Sequence, residues 1–373
     1  MAGIYIHIPF CRQACHYCNF HFSTSLKLQN DFLAALLKEI VLQRSFLAGE
    51  TVETIYFGGG TPSLLSKEEL LSILTALQQH FTIHPGAEIT LEANPDDITE
   101  AALTGWQQAG ISRLSIGIQS FFEEDLQWMN RAHTAQQAFD NLQLARSRFS
   151  NITIDLIYGT PGLTDDKWQQ NVATALSLQI PHLSCYALTV EPKTALDAMI
   201  RAKKSPAVNS EDQARQFLLL MDWLKQAGYE HYEISNFALR GQRSRHNSSY
   251  WQGKKYLGLG PSAHSYDGKD RQWNIANNAL YIQSLHNNTV PFEKEILTET
   301  QRLNEYIMTS LRTSEGISLQ YVQQLSGETI SRLIKESSRR YIDQALMIEE
   351  NDHYKLTQEG KLFADGIAGD LFV

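Results

Sequence analysis

The sequence predicts an α/β protein with a parallel sheet, followed by a smaller, mainly helical, winged-helix-like C-terminal domain. Three observations predict it. Six short β-rich runs alternate with longer runs over the first 235 residues. Apolar residues in the longer runs recur at helical spacing. After Pro291 the pattern changes to three helices and a hairpin.

The strand-like runs are residues 3–8, 54–58, 88–93, 113–118, 152–158 and 182–188. After the first, Phe32, Leu36, Leu37, Ile40 and Val41 share one helical face. Leu70, Leu71, Leu74 and Leu77 do so after Ser66-x-x-Glu69, which reads as a capping box. Phe139, Leu142 and Leu144 mark another helix. Six strand–helix units in register imply parallel strands joined by right-handed crossovers. The count suits a partial or full β/α barrel and also a doubly wound sheet; periodicity does not separate them. In each, ligands gather at the C-terminal ends of the strands. A helix over 207–227 and a short strand at 229–235 follow. Residues 237–278 are rich in Gly, Ser, Asn and aromatics, and they read as an irregular functional segment. Helices at 299–311, 319–325 and 330–344 precede two strand-like arms around Asn351-Asp352. The expected division is 1–235, an irregular 236–290, and 291–373.

A net charge of −9 argues against nucleic acid as a partner and favours a packing or protein-contact role for the C-terminal module. No run approaches eighteen apolar residues, so membrane contact is expected to be peripheral at most. The first residues lack a basic n-region and a long apolar h-region, so a cytoplasmic location is expected. Four cysteines make no disulfide framework. Three of them, Cys11, Cys15 and Cys18, fall within eight residues, just after the first strand. Three thiolates leave a structural zinc site one ligand short, unless His16 or His21 completes it. They suit a [4Fe–4S] cluster with one open iron, which can bind a small molecule. Cys185, far away, reads as a core residue.

Other candidates lie at strand ends. Phe57-Gly-Gly-Gly-Thr-Pro62 lets backbone approach a ligand or makes a tight turn. Glu92 offers a carboxylate to ribose hydroxyls or is a surface Glu before an Asn-Pro turn. Gln119, Arg131 and Asp155 each read alone as structural. Further on stands His246-Asn-Ser-Ser-Tyr-Trp251. A neutral imidazole can ligate heme iron, Tyr250 and Trp251 can pack on a macrocycle, and Arg243 and Arg245 can pair with propionates. The alternative is a His capping a turn, with Tyr and Trp anchoring the loop. His231 and His264 are rival ligands.

Cys11-x-x-x-Cys15-x-x-Cys18 at this place resembles the radical S-adenosylmethionine (SAM) superfamily. The preceding Tyr5-Ile-His-Ile-Pro-Phe narrows the resemblance to the branch of oxygen-independent coproporphyrinogen III oxidase. The resemblance implies a partial (β/α)6 radical-SAM barrel with the cluster on the three cysteines. It implies a SAM pocket formed by Tyr5, Tyr17, Gly59, Gly60, Thr61, Glu92, Gln119, Arg131, Asp155, Ala187 and His264. Phe20 stands where the oxidase carries a fourth cysteine, and the chain starts almost on its first strand. Those departures and the HNxxYW pattern resemble the sister group of heme chaperones. That implies heme as cargo at His246, Tyr250 and Trp251, and handover to a heme-accepting respiratory protein. It also implies a homodimer, with cluster and SAM serving dimerisation and transfer rather than turnover. The alternative function is radical-SAM decarboxylation of coproporphyrinogen III.

Overall fold

The computed structural model describes residues 2–373. Strands β1 (Ala2–Ile8), β2 (Val52–Gly59), β3 (Ile83–Ala93), β4 (Arg113–Gln119), β5 (Ile152–Tyr158) and β6 (His182–Ala187) lie side by side in that order, all parallel. Each pair is joined through helices, as the alternating pattern predicted. Ile4, Ile6 and Ile8 pack with Phe32, Leu36 and Ile40 of the helix Gln29–Leu42. Alternation sends their neighbours Tyr5 and His7 to the other face, where the strands carry Thr54, Tyr56, Glu88, Glu92, Arg113 and Asp155. The barrel interior is therefore polar. The expected capping box is present: Ser66 Oγ accepts from Glu69 N, and Glu69 accepts from Ser66 N.

The segment expected to be irregular is not irregular. β7 (Glu230–Glu233) and β8 (Asn236–Ala238) turn back antiparallel beside β6. The helix Arg245–Trp251 follows, and then β9 (Lys255–Leu259) joins β1 in parallel. β10 (His264–Tyr266), β11 (Arg271–Asn274) and β12 (Phe292–Glu295) extend the sheet antiparallel. Twelve strands result, open at β12 and β7. The sheet thus runs past Pro291. One buried carboxylate ties this extension to the barrel. Glu39 accepts from Gly260 N (2.8 Å), Asn274 Nδ2 (2.6 Å) and the Tyr281 hydroxyl (2.6 Å). Burial pushes its pKa up to about 7 despite these three donors.

The C-terminal residues form their own core of Leu303, Ile307, Val322, Ile334, Met347 and Tyr354. Helices Glu299–Leu311, Leu319–Ser326 and Glu328–Asp343 pack on a small sheet, β13 (Ile317–Ser318), β15 (His353–Leu356) and β14 (Met347–Glu350), in the order β13-β15-β14. This is the expected helices-and-hairpin arrangement. The module docks on the barrel through Ile234 N to Arg312 O (2.9 Å), Arg312 Nε to Glu233 (3.2 Å) and Lys361 Nζ to His231 Nδ1 (2.9 Å). Among the described residues no helix is long and apolar enough to cross a membrane.

Candidate functional site

The three clustered cysteines lie in the loop after β1, at the C-terminal ends of the parallel strands. Two backbone bonds from the Gly59-Gly60-Thr61 strand end hold the start of that loop: Gly60 N to Ile8 O (2.8 Å) and Thr61 N to Phe10 O (2.7 Å). A Cβ on Gly60 would sit 2.6 Å from Phe10 O, so the approach requires glycine there. Gly59 has φ +106° and sits against the His7 ring. All three thiols are half-buried and free. Burial pushes the Cys11 thiol up to about 11, against the Thr61 hydroxyl that bonds it, and pushes Cys18 up as well.

Arg131 is the fixed cation beside them. It reaches Cys15 Sγ (3.3 Å), Asn94 Oδ1 (2.8 Å) and the Gly117 carbonyl (2.8 Å), and its buried Nε has no partner. A half-buried guanidinium on Cys15, in a loop that carries three thiols, suits an iron–sulfur cluster that adds negative charge. The two histidines that could complete a zinc site are each tied through one ring nitrogen. His16 Nδ1 bonds Trp128 O (2.8 Å), and His21 Nε2 bonds Asn278 Oδ1 (2.7 Å).

Next to the loop, the structure gathers two half-buried acids. Glu92 accepts from the Tyr56 hydroxyl (2.8 Å) and Gly59 N (3.1 Å). Burial pushes both Glu92 and Asp155 up to about 7, with Glu92 adding to the effect on Asp155. Neither joins an ion pair among the described residues, so the pocket suits a cationic ligand. The sulfonium and amino groups of SAM meet that requirement. Gln119 is buried at the end of β4 with φ +67°, a strained conformation. Tyr5 stacks on Tyr56 at 6.1 Å, and Tyr17 packs with Met129, Ile157, Leu188 and Leu196. Ala187 is exposed at the last position of β6. His264 is exposed on β10, its ring 6.0 Å from that of Trp273, and no hydrogen bond reaches that ring among the described residues.

The HNxxYW residues form the short helix Arg245–Trp251, capped by Ser244 Oγ at Asn247 N. Here the expected loop is a helix that draws its histidine inward. His246 is 1% exposed and lies within the barrel, at the N-terminal ends of β1 and β2. Its Nδ1 bonds Thr54 Oγ1 (2.8 Å) and its Nε2 bonds the Tyr250 hydroxyl (2.8 Å). Its ring stacks on Tyr56 at 5.0 Å, and its backbone N–H donates to Glu88 (3.0 Å). With both ring nitrogens taken, His246 is not a free iron ligand. His231 is removed as a rival too: it stacks on Phe237 at 4.1 Å, and Ile234 O and Lys361 hold its nitrogens. Arg245 turns to Gly86 O (2.9 Å) and Glu53 (3.5 Å). Arg243 pairs with Glu230 and Glu315.

Tyr250 and Trp251 instead face a cleft of about 1140 Å³ between barrel and C-terminal module. Phe20 and His21 of the cysteine loop, His264, and Tyr306 and Tyr321 of the C-terminal helices line it too. Phe20 is 71% exposed there. Arg312 lies over the Trp251 ring at 5.7 Å. Sequence reasoning missed Tyr306 and Tyr321, whose rings lie 4.5 Å apart. Their part in the cleft depends on how two modules dock, which neither module's periodicity records.

Comparison with known proteins follows this geometry. Residues 5–175 match the radical SAM superfamily, and residues 297–363 match the HemN C-terminal domain. The chain is 32% identical to heme chaperone HemW of Bacillus subtilis, over 99% of this chain and 98% of that protein. It is 33% identical to heme chaperone HemW of Mycobacterium tuberculosis, over 99% and 94%. A relative with the same name in Synechocystis is 36% identical over 84% of this chain and 78% of its own. In fold, the chain resembles coproporphyrinogen III oxidase (HemN) from Escherichia coli, with TM-score 0.86, 23% identity and coverage of 100% and 90%.

Proposed function

The chain belongs to the HemW family of the radical SAM superfamily, and from that premise we propose that it is a heme chaperone. The observation that carries the proposal is the aromatic cleft beside the cysteine loop. Its volume of about 1140 Å³ leaves room for a macrocycle. Tyr250, Trp251, Tyr306 and Tyr321 offer it flat faces. His264 presents an imidazole that no hydrogen bond engages among the described residues. Desolvation and the nearby Arg271 lower its pKa and favour the neutral form, the one that binds iron.

Cys11, Cys15 and Cys18 hold the [4Fe–4S] cluster, and Arg131 neutralises part of its charge. Glu92 and Asp155 receive SAM on its cationic side, with Tyr5, Tyr17, Gln119 and Ala187 around it. When bound, the cluster supplies one-electron chemistry at its open iron. Phe20, where the oxidase carries a cysteine, puts an apolar ring on the cleft wall and favours holding a porphyrin over decarboxylating one. The acceptor is a respiratory heme protein, the site of exchange is the cytoplasm, and the chain works as a homodimer with peripheral membrane contact at most.

Anaerobic heme titration of cluster-reconstituted protein tests this reading. A Soret band saturating at one heme per chain is expected, without SAM-dependent loss of coproporphyrinogen. His264→Ala shifts that band, and Trp251→Ala weakens binding about tenfold or more. No saturable binding, together with coproporphyrinogen decarboxylation, overturns the proposal in favour of the oxidase.

A further inference from the structure

The main cleft has a small side chamber of about 180 Å³. The two share Arg243, Ser248, Gln252 and Lys254 as common wall. Three cations line the chamber, Arg243, Arg245 and Lys254, against one acid, Glu53. That is a local excess of positive charge in a chain of net charge −9.

The three cations differ in what they already hold. Arg243 is bound to Glu230 and Glu315, and Arg245 to Glu53 and Gly86 O. Lys254 is half-buried, and among the described residues no hydrogen bond or ion pair engages its ammonium group. The other cleft cations are matched: Arg271 by Glu305, and Arg302 by Glu299 at 3.9 Å. A half-buried ammonium without a counter-charge, opening on a cleft of aromatic rings, is suited to a carboxylate carried on a flat apolar body.

We propose that this chamber is the carboxylate subsite of the cleft, where Lys254, with Gln252 beside it, binds the propionate groups of heme. The inference rests on the heme reading above and fixes which edge of the macrocycle enters first. Propionates lead into the chamber beside the helix Arg245–Trp251. The apolar edge then lies toward Phe20 and the C-terminal helices.

Heme and its dimethyl ester, titrated in parallel into the full chain in the same mild detergent, separate the possibilities. Heme is expected to bind at least tenfold more tightly than the ester. Lys254→Met is expected to remove most of that preference by weakening heme alone, with the melting temperature unchanged. Equal affinity for the two porphyrins overturns the subsite and leaves the chaperone reading standing. A Lys254→Met protein that keeps the tenfold preference also overturns it. Saturable binding of neither porphyrin overturns the heme reading itself, and the subsite with it.

Discussion

His246→Ala lowers the melting temperature by several degrees and weakens heme binding, yet leaves the Soret maximum of the bound heme where it was. The imidazole links Thr54 on β2 to Tyr250 on the cleft wall. Removing it leaves the buried Thr54 hydroxyl and the half-buried Tyr250 hydroxyl without that partner and opens a hole against the Tyr56 ring. Each orphaned hydroxyl costs about 1–3 kcal/mol. Lost packing adds to this, since buried apolar contacts go with the ring. Tyr250 and its neighbour Trp251 then lose their fixed position, and heme affinity falls with them. An iron ligand behaves differently, because its loss changes the spectrum of whatever heme remains. Tyr250→Phe removes one of the two bonds and costs less. The double variant His246→Ala/Tyr250→Phe falls short of the sum by about 0.5–3 kcal/mol, as for any contacting pair. A shifted Soret band in His246→Ala, at unchanged melting temperature, sinks this account and returns the residue to the iron.

The same helix shows how far the sequence could be read. His246 and Tyr250 are four apart, so on any helix they share a face. That spacing was the available signal for a bonded pair, and the reading of a loop His with anchoring aromatics lay nearer to the structure than the ligand did. The six parallel strands were legible because each is five or more residues long and followed by an amphipathic helix. The extension from β8 to β12 was not. Its strands are three to five residues long, and their partners lie elsewhere in the chain, as with β9 beside β1. Glu39 shows the difficulty best. It sits in an ordinary helix pattern, yet it is fully buried and bonded to residues more than 200 positions later. The cysteine spacing was legible because the chemistry fixes it locally. The cleft was not, because more than a third of its lining belongs to the C-terminal module.

Binding of SAM strengthens as pH rises from 6 to 8, and Glu92→Gln flattens that dependence. Glu92 and Asp155 both sit near 7 in the folded, ligand-free protein, mainly through burial. Their ordinary values are 4.5 and 3.8. Folded protein therefore keeps protons that unfolded chain releases, so these groups favour folding most at low pH. Their contribution falls as pH rises from about 4 through 7, and is on the order of 3 kcal/mol lower for Glu92 once it is ionised. Buried neutral histidines act in the opposite direction. Burial lowers His246 and His231 to about 3 and His7 to about 4, so each favours folding more as pH rises towards 6.5. The absolute stability curve mixes the two effects, whereas the difference between wild type and Glu92→Gln isolates the carboxyl. Above pH 7 the variant should be the more stable when ligand-free, and the gap should close towards pH 5. The same substitution should bind SAM more weakly at pH 8, because the ionised carboxylate that a cation needs is gone. Melting curves and equilibrium dialysis at pH 5, 6, 7 and 8 measure both. If the stability gap does not change with pH, or wild-type affinity is flat from 6 to 8, Glu92 is not an acid held protonated for a cation to release.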